Sequence, residues 1–136
     1  MPVTSATATA DAPGAILPPD WFASAAAALH RGDLAGWMAL YAPGAVHEFP
    51  YAPKGAPCRL EGRDAIEAYM RGVLEHVRFG TISPVSVTVD GDRTVIEAVG
   101  RHHRAADGAP ITIDYVSVIT RDRDGVTLYR DYMNPL

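Results

Sequence analysis

The chain has 136 residues, of which 48% are hydrophobic and 21% charged, and its formal net charge is −4. This length suits one domain with a single hydrophobic core. The basic residues are scattered, whereas a nucleic-acid or anionic-membrane surface needs clustered Lys and Arg. The one cysteine, Cys58, can neither form an internal disulfide nor hold a structural zinc alone. We therefore expect no nucleic-acid partner, no membrane partner and no metal site.

The first residues differ in composition from the rest of the chain. Residues 1–18 are rich in Ala, Thr and Pro and lack the basic start and apolar stretch of a signal peptide. No apolar run in the sequence approaches the ~20 residues of a membrane span. The composition predicts a flexible extension over 1–18, a domain over 19–136 and a cytoplasmic protein.

Three helices and one strand are predicted in the first half. Asp20 follows two prolines and is predicted to cap the first helix, and Asp33 is predicted to cap the second. The third helix is indicated by apolar residues at helical spacing. The first helix is expected to end at Gly32, the second at Pro43, the strand to cover 46–51, and the third helix to cover 63–78 after a loop over 52–62.

Four strands follow, because the second half alternates β-branched and polar residues. Their turns carry the pairs Asp-Gly at 90–92, 107–108 and 124–125, which tolerate positive φ. The predicted strands cover 81–89, 93–104, 110–120 and 126–133. Helices followed by a strand meander predict an α+β fold. We expect a cone-shaped curved antiparallel sheet and three N-terminal helices that enclose an apolar cavity.

Several segments resemble known families. Residues 30–34, 40–46 and 61–66 resemble the first half of the SnoaL-like and ketosteroid-isomerase-like families of the nuclear transport factor 2-like superfamily. Residues 124–135 are similar to the end of limonene epoxide hydrolases and of phenazine-biosynthesis A/B proteins, where an acidic residue precedes an aromatic-Met-Asn-Pro run. The resemblance covers about 20–136 and implies the cone-shaped fold. The fold alone does not fix the reaction.

The chain departs from the steroid isomerases at their catalytic positions. Phe49 stands where their general-base aspartate lies, and their oxyanion-binding tyrosine falls near Ala25. Asp114 aligns with their second, protonated aspartate. Steroid isomerisation proper is therefore not expected.

The chain also departs from the epoxide hydrolases. Their Arg-x-Asp pair is replaced by Val99 and Arg101, and His47 and Phe49 replace the tyrosine and asparagine that hold their water. Asp131 matches the acidic residue on the last strand of the epoxide hydrolases, polyketide cyclases and phenazine proteins. The resemblance thus implies that Asp131 is the acid–base residue.

Side-chain alternation groups the candidate residues. Tyr129 and Asp131 share one face of the last strand, and His47, Phe49 and Tyr51 share one face of the first. The resemblance implies that both faces line the cavity, where Asp131 and His47 would form a proton-transfer pair. The alternatives are a surface salt bridge from Asp131 to Arg101 or Arg121, and a core histidine without chemistry at 47.

Further candidates would contact the substrate. We expect Arg101 or Tyr51 to steady a developing oxyanion, and only one of Asp114 and Tyr115 to reach the cavity, because neighbours in a strand point oppositely. The predicted substrate-binding residues are Tyr51, Arg101, Phe49, Trp37, Tyr129, Met70, Tyr115 and Asp114.

The function expected from these residues is cofactor-free acid–base catalysis on a small carbonyl-containing metabolite of specialised metabolism. Cyclisation, isomerisation, dehydration and condensation all remain open. No glycine-rich phosphate loop is present. The alternative is a non-catalytic module that binds a small hydrophobic ligand or assists assembly, and an epoxide hydrolase-like enzyme is the third hypothesis. A homodimer is expected by resemblance, through Val116, Val118, Leu128 and Tyr132.

Overall fold

Three helices pack against one six-stranded sheet in the computed structural model, which describes residues 16–133. Most of the predicted extension over 1–18 lies outside the described residues. The elements are α1 (Asp20–His30), α2 (Leu34–Met38), β1 (Tyr41–Glu48), β2 (Arg59–Glu61), α3 (Arg63–Leu74), β3 (Val77–Asp90), β4 (Arg93–Arg104), β5 (Pro110–Asp122) and β6 (Gly125–Met133). The predicted α+β class with a curved, unclosed sheet is confirmed.

The strand order is β2-β1-β6-β5-β4-β3, and strands β3 to β6 form the predicted antiparallel meander. The prediction of a wholly antiparallel sheet is wrong in one place, because β1 pairs parallel with β6. The strand β2 lies in a segment predicted as loop and pairs antiparallel with β1. A three-residue strand within a Pro- and Gly-rich segment is too short to show a period.

The helix starts agree only in part with the predicted caps. The Asp33 carboxylate accepts a hydrogen bond from the Gly36 amide at 3.0 Å, which confirms the cap of α2. Asp20 is instead the first helical residue of α1, and the carbonyl of Pro19 accepts bonds from the amides of Phe22 and Ala23. The Asp20 carboxylate still lies in the first turn, where the helix dipole favours negative charge.

Several element bounds differ from the predicted ones, and the bounds of α3 and β1 differ most in their effect on the site. Helix α3 ends at Leu74, four residues before its predicted end, because Val77 already pairs with Arg104 at the start of β3. Strand β1 begins at Tyr41 and ends at Glu48, so it lies earlier than the predicted 46–51. This shift brings Tyr41 into the sheet beside Val126.

Side chains alternate strictly between the two faces of the sheet, and the buried ones define its inner face. Along β4 the buried residues are the even-numbered ones from Thr94 to His102. The helices cover this face with buried apolar side chains, among them Phe22, Trp37 and Met70. The space between helices and sheet is where the cavity lies. None of the described helices is long and apolar enough to cross a membrane.

Candidate active site

A cavity of about 120 Å³ lies between the helices and the inner face of the sheet. This size is close to the roughly 150 Å³ of an engineered apolar cavity that binds benzene, so a ligand of about one ring fits. The described residues that line it are Phe22, Leu29, Trp37, His47, Phe49, Tyr69, Met70, Val73, Val77, Phe79, Ile82, Ile96, Ala98, Ile113, Tyr115, Ser117, Tyr129, Asp131 and Met133.

Asp131 and His47 meet in this cavity. The parallel pairing of β1 with β6 sets His47 opposite Tyr129, so the inward side chains of both strands converge. The His47 Nε2 atom lies 3.5 Å from Asp131 Oδ2. His47 is 4% exposed and Asp131 is 9% exposed. The structure therefore places the predicted acid and imidazole side by side among aromatic walls.

The His47 ring is held on three sides. The Tyr41 hydroxyl lies 2.8 Å from Nδ1, the Tyr129 ring stacks at 4.5 Å and the Phe49 ring lies at 4.7 Å. A carboxylate can only accept hydrogen bonds, so a proton on Nε2 faces Asp131 and Nδ1 accepts from Tyr41. We assign this tautomer from the contacts. The sequence prediction missed Tyr41 because it was assigned to a helix.

Five buried side-chain polar atoms in the described structure lack a hydrogen-bond partner there, and three of them belong to residues that line the cavity: Asp131 Oδ1, His47 Nε2 and Trp37 Nε1. The contact of His47 Nε2 with Asp131 is longer than a normal hydrogen bond. Buried polar groups are normally hydrogen-bonded. All three side chains belong to residues that line the cavity.

The tyrosines around the cavity are held in their protonated form. Burial raises the pKa of Tyr41, Tyr115 and Tyr129, and the charge of Asp131 raises it further. The pKa of Tyr69 is raised for the same two reasons. These phenols are therefore hydrogen-bond donors rather than anions.

A second polar pair, which the sequence did not reveal, lies on β4 and β5. His102 is 1% exposed. The Gly80 amide donates to its Nδ1 at 3.0 Å, and its Nε2 lies 2.9 Å from the Tyr115 hydroxyl. Burial lowers the pKa of His102 to about 4, and the neighbouring His103 adds to the shift. The inward alternation of β4 is the signal that could have indicated His102.

The predicted substrate contacts divide into two groups. Phe49, Trp37, Tyr129, Met70 and Tyr115 line the cavity together with the catalytic candidates. Their positions agree with the prediction, and their role toward a substrate stays a prediction.

Tyr51, Arg101 and Asp114 lie elsewhere, and their predicted cavity positions are wrong. Strand β1 ends before Tyr51, which is 68% exposed and packs against Tyr132. Arg101 and Asp114 are exposed because their strand neighbours, His102 and Tyr115, are the ones that point inward.

The alternative of a salt bridge from Asp131 to an arginine is also wrong. Arg101 points to the outer face of β4. The Arg121 guanidinium lies over the Trp21 ring, 4.4 Å from its centroid. Among the described residues, the ion-pair contact of Asp131 is His47.

Gly100 is required by the second polar pair. A Cβ atom at this position would lie 2.4 Å from His102 Nε2 and 2.6 Å from Tyr115 Cε2. We expect Gly100→Ala to displace one ring and to lower the free energy of unfolding by about 1–3 kcal/mol, as overpacking does. Urea unfolding measures the effect.

Gly72 provides the matched control for that substitution. No atom lies within 4 Å of a Cβ there, and the residue sits inside α3. Gly72→Ala should stabilise the protein by about 0.5–1 kcal/mol, because Ala favours a helix over Gly. A Gly100→Ala protein as stable as the wild type would contradict the tight packing at the pair.

Comparison with known proteins identifies the family and the fold. Residues 22–128 match the SnoaL-like domain family. An uncharacterised PhzA/B-like protein of Pseudomonas aeruginosa is 44% identical over 111 residues, which cover 79% of this chain and 77% of that protein. The crystal structure of a proposed isomerase from Bacillus subtilis superposes with a TM-score of 0.79 at 31% identity and covers 85% of each chain.

A more distant structure supports the fold alone. A proposed polyketide cyclase from Xanthomonas campestris superposes with a TM-score of 0.69 at 20% identity over 84% of this chain and 87% of that one. These matches agree with the resemblance noted in the sequence. The chain belongs to the SnoaL-like domain family and has the nuclear transport factor 2-like, ketosteroid-isomerase-like fold.

Proposed function

We propose that this protein is a cofactor-free acid–base enzyme that moves a proton on a small, neutral carbonyl compound. The observation that carries the proposal is the position of Asp131. Its carboxylate is buried, one oxygen contacts His47 at 3.5 Å, and the other oxygen has no partner among the described residues and belongs to a side chain that lines the cavity. A buried carboxylate with an unused acceptor oxygen, on a side chain that lines the cavity, is suited to act as a base toward a ligand.

The proposed reaction begins with removal of a proton next to the carbonyl. The C–H bond breaks, an O–H bond forms on Asp131, and the electron pair moves to the carbonyl oxygen as an enolate. Return of a proton from Asp131 to another carbon gives an isomer. Attack of the enolate on a second carbonyl forms a C–C bond, and the proton held by Asp131 passes to the resulting alkoxide, which gives a cyclised or condensed product. His47, fixed by Tyr41 and two rings, lies with Nε2 3.5 Å from the second oxygen of Asp131 and faces the base.

The lining of the cavity supports a neutral ligand. None of the described lining residues is Lys or Arg, and Asp131 contributes a negative charge. A carboxylate ligand would lose its hydration and face this charge without a cation to pair with, which is costly. We therefore propose ketones or aldehydes of about one ring as substrates, in line with the proposed isomerase and polyketide cyclase among the similar structures.

The rival function is binding of an apolar ligand without chemistry. The largely aliphatic and aromatic lining is the observation that favours it. Burial of Asp131 beside His47 and Tyr41 costs free energy, and a passive binding site does not need these polar groups. This cost argues against the rival function. Epoxide hydrolysis gains no support, because Arg101 lies on the outer face of β4.

Cyclohex-3-enone tests the two functions. Loss of a proton at C2 and its return at C4 give cyclohex-2-enone, whose conjugation is followed by ultraviolet absorbance. We expect the wild-type protein to accelerate this conversion and benzoate to fail as an inhibitor. Binding of the enone, shown by calorimetry, with no acceleration at any pH near neutrality would favour the rival.

The proposal includes a second copy of the chain as partner. On the outer face of the sheet, Val116 pairs with Tyr132 and Thr120 pairs with Leu128, and Val116 is 37% exposed. This face, which also carries Arg130 opposite Val118, is suited to cover the same face of another copy. A monomeric mass by sedimentation equilibrium would exclude the dimer.

A further inference from the structure

We propose that Tyr115 donates the hydrogen bond that holds the carbonyl oxygen of the ligand, and that His102 is the positioning residue that turns this hydroxyl into the cavity. A catalytic role of this hydrogen bond rests on the proposed function, because the oxygen of the enolate would occupy the position of the carbonyl oxygen. The hydrogen bond itself is a binding contact and can be measured without turnover.

The direction of the hydrogen bonds follows from the Gly80 amide. This N–H donates to His102 Nδ1 at 3.0 Å, so Nδ1 carries no proton. A neutral imidazole has one N–H, which must then be on Nε2, 2.9 Å from the Tyr115 oxygen. His102 is therefore the donor and Tyr115 the acceptor in this bond.

The hydroxyl proton of Tyr115 is left for another acceptor. A phenol that accepts one hydrogen bond can still donate its own O–H, and the Tyr115 side chain lines the cavity. Ser117, the next inward residue of β5, lies directly opposite Asp131 on β6. Tyr115 and Asp131 are thus diagonal neighbours, which places their Cβ atoms about 7 Å apart. Both side chains line the same cavity, so one ligand can contact both.

The surroundings of His102 are built to fix its ring. The register of β3 against β4 shifts between Arg78 and Thr81, and this irregularity releases the Gly80 N–H from the strand ladder toward the imidazole. The Phe79 ring packs edge-on at 4.9 Å. On β4 itself, Gly100 leaves the space that the contact of His102 with Tyr115 occupies. The register shift in β3, the Phe79 ring and Gly100 therefore all support the hydrogen bond between His102 and Tyr115.

This arrangement defines the oxygen that the cavity accepts. The donor is a neutral phenol, whose pKa is raised by burial and by Asp131, and no described lysine or arginine lines the cavity. Such a donor suits the oxygen of a ketone or aldehyde in the resting state and strengthens as charge develops on that oxygen. Tyr115 thus takes the role that the sequence predicts for Arg101 or Tyr51, which is to stabilise a developing oxyanion.

Two substitutions of His102 separate its two hydrogen bonds. The amide nitrogen of glutamine can occupy the place of Nε2, so His102→Gln keeps the donor to Tyr115 and loses the acceptor for Gly80. The amide oxygen of asparagine can occupy the place of Nδ1, so His102→Asn keeps the acceptor and loses the donor. The readout is the infrared C=O stretch of bound cyclohex-2-enone labelled with ¹³C at the carbonyl.

We expect a C=O frequency in the wild-type complex well below that of the enone in hexane. Tyr115→Phe should return it to the apolar value. His102→Gln should keep most of the shift, and His102→Asn should lose it. The ¹⁵N spectrum of the wild-type protein should show His102 protonated on Nε2 and bare on Nδ1, a result that needs no variant to fold.

Several results would overturn the proposal. These are a proton on Nδ1 of His102, failure of the enone to bind, an unchanged shift in Tyr115→Phe, and equal shifts in the Asn and Gln variants. Loss of the shift in Trp37→Phe alone would assign the donor to the indole Nε1. A shift that behaves as expected in a protein that converts no cyclohex-3-enone would keep this inference and reject the role of Asp131 as base.

Discussion

Asp131→Asn should lower the rate of cyclohex-3-enone isomerisation by about 10²- to 10⁴-fold, the usual contribution of a positioned acid–base group. Asparagine has the same shape, and its amide oxygen can take the place of Asp131 Oδ2 beside His47, but an amide cannot take a proton from carbon. The dissociation constant of the enone should change little, because the cavity keeps its volume and its other lining residues. Steady-state kinetics and calorimetry measure the two effects separately.

Glu97→Gln is the matched control for this loss. Glu97 is an exposed carboxylate on the outer face of β4, where it accepts a hydrogen bond from Ser86. The same acid-to-amide change should there leave the rate unaltered. If Asp131→Asn kept the wild-type rate, or if both variants lost activity equally, Asp131 would not be the base.

The stability of the protein should fall as the pH drops through the range in which His102 titrates when unfolded. Burial lowers its folded pKa to about 4, whereas an unfolded histidine has a pKa of about 6.5. Between these values the unfolded chain takes up a proton that the folded protein does not, so acid favours unfolding. The decrease in the free energy of unfolding is complete below about pH 4 and reaches at most about 3 kcal/mol.

Urea unfolding of the wild type and His102→Gln, at intervals from about pH 7 to about pH 4, tests this expectation. Glutamine does not titrate, so the stability difference between the two proteins should shrink as the pH falls. Glu48 and Asp107 also have lowered pKa values, through hydrogen bonds from Arg130 and from the Ala109 amide respectively, but they contribute equally in both proteins. Parallel curves for the two proteins would show that His102 is not held neutral by burial.

The parts of the site that sequence could predict are those that depend on a period of two. Alternation along β6 puts Tyr129 and Asp131 on one face, and alternation along β1 does the same for His47 and Phe49. The family resemblance then supplied which face is inward. The structure places all four at the cavity, and the parallel pairing of the two strands brings His47 to Asp131.

The remaining features of the site could not be predicted from the alternation of side chains along a strand. Alternation shows that Arg101 and His102 point oppositely, but burial by the helices decides that His102 is the inward one. Tyr51 was assigned inward because the strand was expected to reach it, and the strand ends at Glu48. The hydrogen bond from Gly80 to His102 spans 22 positions and needs an irregular register, which no local pattern shows.

Deuterium exchange of cyclohexanone in D₂O, followed by proton NMR, tests most directly whether Asp131 removes a proton from carbon. Cyclohexanone has no double bond to move, so loss of its α-proton signal reports removal of the proton from carbon, its exchange with D₂O and return of a deuteron. We predict exchange well above the buffer rate with the wild type and near the buffer rate with Asp131→Asn. Saturating bound ketone with exchange at the buffer rate in the wild type would contradict the acid–base function and leave ligand binding as the function of the cavity.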